Sequence, residues 1–245
     1  MARKKPNSAG NALREIEATG DRVADWAARN AVWVLGAIAA VLVIAAGTGL
    51  YIQHGSDARD QAANALALAT SQYRLAMGAD PTGGAIAEPA NPELAERTRS
   101  DFAERFTRVA REHEGTAAGV VAWLEAGNLQ TELGQPENAV ASFSAARDAA
   151  GDLVLGALAS TRLAALAEAR GDPAAAAEAY EAAAAVAAYP MRAEALTAAA
   201  RCWVEAGEED RALSAYQRVE TEYPNELIAP QIASLIAELR LRRQP

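Results

Sequence analysis

Gly134, Gly171 and Gly207 stand 37 and 36 residues apart, each closing an apolar helical stretch and each followed at once by the start of another. Glycine in that place supplies the left-handed residue on which many helices stop. Pro136 and Pro173 then stand just inside two of the new helices, where a missing N–H costs nothing. So regular a punctuation leaves little choice of fold: one helical hairpin, repeated, with each copy burying its apolar face against the next. Further turns are predicted at 151–152, 188–190 and 223–225, and no strand pattern occurs from Thr116 onward. The fold class is all-α.

Aligned on these glycines, the units share a small/large pattern. The first unit offers Trp123, Gly127, Ala139, Phe143 and Ala146; the second offers Leu163, Ala164, Ala176, Tyr180 and Ala183; the third offers Ala200, Trp203, Ala212, Tyr216 and Pro224. Small residues let the two helices of a unit approach, and the aromatic fills the space between neighbours. The pattern resembles the tetratricopeptide repeat, about 34 residues folded as two antiparallel helices. The two or three extra residues per period fall in turns, where insertions cost little. The resemblance implies an α-solenoid with three helix pairs over 116–225.

Ahead of these lies a divergent helical pair over 53–115, split by a Pro- and Gly-rich loop at 80–91. Leu66, Leu68, Tyr73, Leu75 and Met77 mark its first helix, and Phe102, Phe106 and Val109 form one stripe on its second. After the repeats, residues 226–245 carry Ile232, Leu235, Ile236 and Leu239 on one side and Arg240, Arg242 and Arg243 at the end. This is the pattern of a helix that caps the last unit.

The run 31–52, AVWVLGAIAAVLVIAAGTGLYI, has no charged residue. As a helix it extends roughly 33 Å, enough for a hydrocarbon core of ~30 Å. Trp33 and Tyr51 lie near its ends, where amphipathic rings favour the headgroup layer. A cleaved signal peptide is the alternative, but its apolar region is shorter and follows a shorter basic start. Six basic residues precede the run, while only Arg59 occurs in the twenty residues after it. The positive-inside rule therefore predicts a single-pass membrane protein with its N-terminus in the cytoplasm and its C-terminal part across the membrane. Gly36, Ala40 and Gly47 share one side of the span and form a candidate contact face for another membrane helix. In the head, 1–30, the first ten residues have a disordered composition, and 11–30 has weak helical patterning suited to the membrane surface.

The layout resembles the YfgM family of ancillary SecYEG translocon subunits, through the stretch DRVADWAARN, the single span, the divergent pair and FTRVAREHEGTAAGVVAWLEAGNLQ at 106–130. YPNELIAP at 223–230 is also similar to the repeat region of CpoB-type cell-division coordinators. The resemblance covers most of residues 21–243. It implies a periplasmic domain beside the translocon, with translocon subunits, periplasmic chaperones and exported clients as partners. The second likeness implies an envelope organiser linking wall synthesis or division. Neither family offers catalytic residues.

The chemistry within reach of the sequence is sparse. Its 245 residues carry a net charge of −9, with +2 in the head and −11 in the remainder. An acidic domain is a poor match to nucleic acid. His54, His113 and the lone Cys202 have no metal-ligand spacing, and no nucleophile or phosphate-loop motif stands in a usable context. No cofactor, metal or enzymatic activity is expected. What remains is surface. Stacked helix pairs present their first helices in a groove. By register the groove residues are Leu124, Asn128, Thr131, Glu132, Thr161, Glu168, Thr197, Arg201 and Glu205. Some repeat proteins clamp a peptide's terminal carboxylate with basic residues at inward positions, but Leu124, Leu158 and Glu194 stand there instead.

Overall fold

The computed structural model describes residues 56–79, 89, 91–224 and 230–242. Expectations for the head 1–30, for the run 31–52 with Gly36, Ala40 and Gly47, and for most of the 80–91 loop lie outside them. The described residues contain nine α-helices and no strand: α1 (56–76), α2 (Pro92–Glu112), α3 (Ala117–Glu132), α4 (Pro136–Ala150), α5 (Val154–Ala169), α6 (Pro173–Ala185), α7 (Arg192–Glu205), α8 (Glu209–Glu222) and α9 (Pro230–Arg242). From α2 to α9 each helix packs on its sequence neighbour. Among the described residues no helix is long and apolar enough to cross a membrane.

Local chemistry sets the helix ends. Asn91, Thr116 and Asp172 each accept a hydrogen bond from the backbone N–H three residues on, at 3.1, 3.0 and 3.1 Å. At the other end Gly134, Gly171 and Gly207 take φ of +68°, +71° and +79°. The N–H one residue beyond each glycine reaches back five residues to close the turn: Gln135 to Gln130, Asp172 to Ala167 and Glu208 to Trp203, at 2.8, 2.9 and 2.8 Å. Gly78 ends α1 the same way, with φ +77° and Ala79 N–H donating to the Arg74 carbonyl at 2.9 Å. The divergent first pair therefore shares the stop of the other units, although the inserted loop hides its spacing in the sequence.

Packing follows from small residues at the crossings. Gly127, Ala164 and Ala200 occupy one register position in α3, α5 and α7, and all are buried. At Gly127 the ring of Phe143 from α4 uses the space a side chain would take: a Cβ there would lie 2.6 Å from its Cε1. Ala139, Ala176 and Ala212, together with Ala146 and Ala183, are fully covered on the second helices. Gly119 and Gly156, another repeat-related pair, lie under the carbonyls of His113 and Gly151, too close for any Cβ. At the far end α9 inserts Ile236 and Leu239, each 1 % exposed, into the cluster of Trp203, Ala212 and Tyr216.

One placement differs from the sequence reading. Pro224 is an exposed turn residue that packs on nothing central. Tyr189 lies in the turn where the sequence places it and is buried with Val186, Leu196 and Val219, so the turn before α7 contributes to the core. Trp203 does not repeat Trp123; the equivalent positions are Ser160 and Leu196, both buried. Trp203 instead ties three helices. Its indole N–H donates to Glu181 of α6 at 3.0 Å, and the Arg211 guanidinium of α8 lies 3.4 Å from the ring centroid.

Candidate partner groove

The first helices α3, α5 and α7 carry the nine expected groove residues, and the structure divides the groove into two unlike halves. Toward α7 the groove is filled by its own ion pairs. Arg201 bridges Glu168 of α5 at 2.6 Å and Glu205 of its own helix at 2.9 Å. The Cys202 thiol also donates to Glu168, at 3.2 Å. Burial alone would raise the Glu168 carboxyl, but the hydrogen bonds from Cys202, Arg201 and Tyr180, with the charge of Arg201, hold it below the usual range. Burial beside that carboxylate pushes both Cys202 and Tyr180 up to about 12. The thiol is therefore neutral and inert, a covered donor in a polar knot that joins neighbouring units.

Toward α1 the groove opens into a cleft of about 970 Å³ bounded by α1, α3 and α5. Asn128, Thr131 and Glu132 line it as expected. Tyr73, Arg99, Glu125 and Arg162 also line it, and the sequence reading missed all four because they reach the cleft from other units or adjoining register positions. Its apolar surface comes from Met77, Leu129 and Phe143, and on α5 from Ala165, Leu166 and Ala169. The cleft exists because α5 is cut back: Ala165 and Ala169 occupy the register of Asn128 and Glu132 in α3, and of Arg201 and Glu205 in α7. Small residues there leave open the volume that longer side chains fill one unit later.

The carboxylates of the cleft are unequal. Glu132 accepts from Arg99 Nε at 2.8 Å. Glu125 is half-buried and bonded to the side chain of Asn128, and among the described residues it forms no ion pair. Its carboxyl is raised, first by burial and also by the Glu132 charge, while the Asn128 hydrogen bond and the Arg162 charge pull the other way. The remaining expected residues contribute less. The hydroxyls of Thr131, Thr161 and Thr197 each donate to a carbonyl of their own helix, Gly127, Leu158 and Ala193, at 2.8, 2.7 and 2.9 Å.

Leu124 is a correction. It was expected on the open face with Thr161 and Thr197, but it is only 6 % exposed and packs in the cluster of Val120, Phe143, Ala159 and Leu166. Phe143 of α4 and Leu166 of α5 cover that position in the first unit, and an apolar side chain gains from being covered.

Between α1 and α3 lies a smaller, apolar cleft of about 600 Å³, along Leu66, Ala67, Ala117 and Val121. Among the described residues no group of three or more His, Cys, Asp or Glu could hold a metal ion. An arrangement of this kind offers a shaped, mixed polar and apolar surface for another polypeptide. No curated protein matches the chain. Residues 24–237 match the tetratricopeptide repeat-like domain family, spanning the described helix pairs, and the chain belongs to that family.

Proposed function

We propose that this protein is a membrane-anchored protein-binding module of the bacterial inner membrane, its repeat array in the periplasm beside the Sec translocon. There it assists exported polypeptides together with periplasmic chaperones. The observation that carries the reading is one of order along the chain: a basic head, an uncharged run of spanning length, then a repeat array with an open cleft. The family supplies the scaffold for binding other proteins. The resemblance of 106–130 to the YfgM family of translocon subunits supports the location.

The test has two arms. Protease added to intact spheroplasts digests the array and spares the head if the orientation is right. Photo-crosslinkers at Ala40 and Gly47 yield adducts with translocon subunits if the location is right. An array resistant until lysis, or adducts with unrelated membrane proteins only, counts against the proposal. A second reading, an envelope organiser of division or wall synthesis, draws on the stretch 223–230. A mature N-terminus beyond residue 52 and a freely soluble product favour that reading.

A further inference from the structure

The two halves of the groove differ in one respect that bears on what binds there: who neutralises the carboxylates. Glu168 and Glu205 share Arg201, and Glu132 has Arg99. Glu125 alone of the four has an amide for a partner and forms no ion pair among the described residues. It stands at the edge of the volume that Ala165 and Ala169 leave open. A half-buried carboxylate with no ion pair is costly to keep unless something else brings the charge.

We propose that the cleft between α1, α3 and α5 receives a short polypeptide segment with one lysine or arginine among apolar residues. The cation meets Glu125, and its apolar neighbours lie on Ala165, Leu166 and Ala169. This rests on the protein-binding reading above and adds which half of the groove binds and what it selects. The half toward α7 takes no such segment, because Arg201 already occupies its carboxylates. Glu132 binds Arg99 at 2.8 Å, and its charge adds to the burial that raises the Glu125 carboxyl. Arg162 stands on the exposed rim, and of the influences on Glu125 its charge is the weakest. Apolar segments with a single cation are covered in folded proteins and available in unfolded ones. The cleft thus discriminates an unfolded chain from a folded one without reading a defined sequence.

Peptide binding to the full chain in non-ionic detergent micelles tests this, read by fluorescence anisotropy. The probes are short labelled peptides with Leu and Val flanks and a central Lys, norleucine or Glu. Lys binds about tenfold more tightly than norleucine, the worth of one hydrogen bond to a charged group, and Glu binds more weakly than either. In Glu125→Gln the Lys peptide falls to the level of the norleucine peptide, which itself is unchanged. In Ala165→Arg, which puts a cation and bulk on the floor of the cleft, the Lys peptide is lost while helical circular dichroism is retained. Equal binding of the three peptides overturns the proposal, as does Lys preference surviving Glu125→Gln or full binding by Ala165→Arg. These readouts do not depend on where the protein sits in the cell, so they fail separately from the spheroplast and translocon tests.

Discussion

Placing a methyl group at Gly127 is the sharpest test of how the units pack. A Cβ there would lie 2.6, 2.7 and 2.8 Å from Cε1, Cδ1 and Cζ of Phe143. Carbon atoms rest at about 3.5–4.0 Å, so the ring must withdraw by about 1 Å. Phe143 is 2 % exposed and packed on Val120, Leu124 and Leu166, so withdrawing the ring gives up those contacts. Overpacking of this kind costs about 1–3 kcal/mol, and the better helix propensity of alanine returns about 1 kcal/mol. Gly127→Ala should therefore destabilise the array by about 1 kcal/mol. With the ring removed the sign reverses. In a Phe143→Ala background, itself weaker by about 3–5 kcal/mol, the same substitution should stabilise by about 1 kcal/mol. The assay is urea unfolding of the full chain in detergent, followed by circular dichroism, over the four-member cycle. A coupling of about 2 kcal/mol is expected. If Gly127→Ala stabilises the wild-type protein, or if the two changes are additive, the ring does not need the glycine.

Three further outcomes follow from other parts of the array. Cys202 is fully covered and its thiol is pushed up to about 12, so a thiol reagent should leave it unmodified until denaturant is added; stoichiometric labelling of the native protein would show the knot at Glu168 to be open. Ending the chain at residue 225 removes Ile236 and Leu239 from the Trp203 cluster, and light scattering should then show aggregation; an unchanged monomer with unchanged melting would mean α9 is no cap. Glu125 has a raised carboxyl in the folded protein, so its contribution is favourable below the ordinary value near pH 4.3 and is lost as pH rises through the folded value. Glu125→Gln should accordingly melt higher than wild type at pH 7 and level with it near pH 4, and a gap independent of pH would refute this.

The fold was open to sequence reading because its determinants are local or strictly periodic. The glycine stops at 134, 171 and 207 and the alanines at 139, 176 and 212 need only a ruler to find, and the structure uses each where the spacing put it. Long-range features were not open in the same way. The pair Arg99–Glu132 joins different units, as does Arg201–Glu168, and nothing in either helix alone marks the partner. Leu124 was misplaced because its repeat equivalents are threonines, and register cannot show that Phe143 covers one unit more than another. Trp203 was legible as a packing residue, but its tie to Glu181 and Arg211 of two other helices was not. The cleft had a faint signal: Ala165 and Ala169 break a column that is polar in the units on either side. In a chain so rich in alanine that gap does not stand out.

The central claim, that the open half of the groove between α1, α3 and α5 is where this protein holds its partners, comes down to one comparison in living cells. A photo-crosslinking amino acid replaces Ala165 in the cleft or, in parallel, the exposed Asp148 on α4. Adducts with nascent exported polypeptides from position 165 and none from position 148 are the predicted result. Equal adducts from the two positions, or adducts from 148 alone, would contradict it.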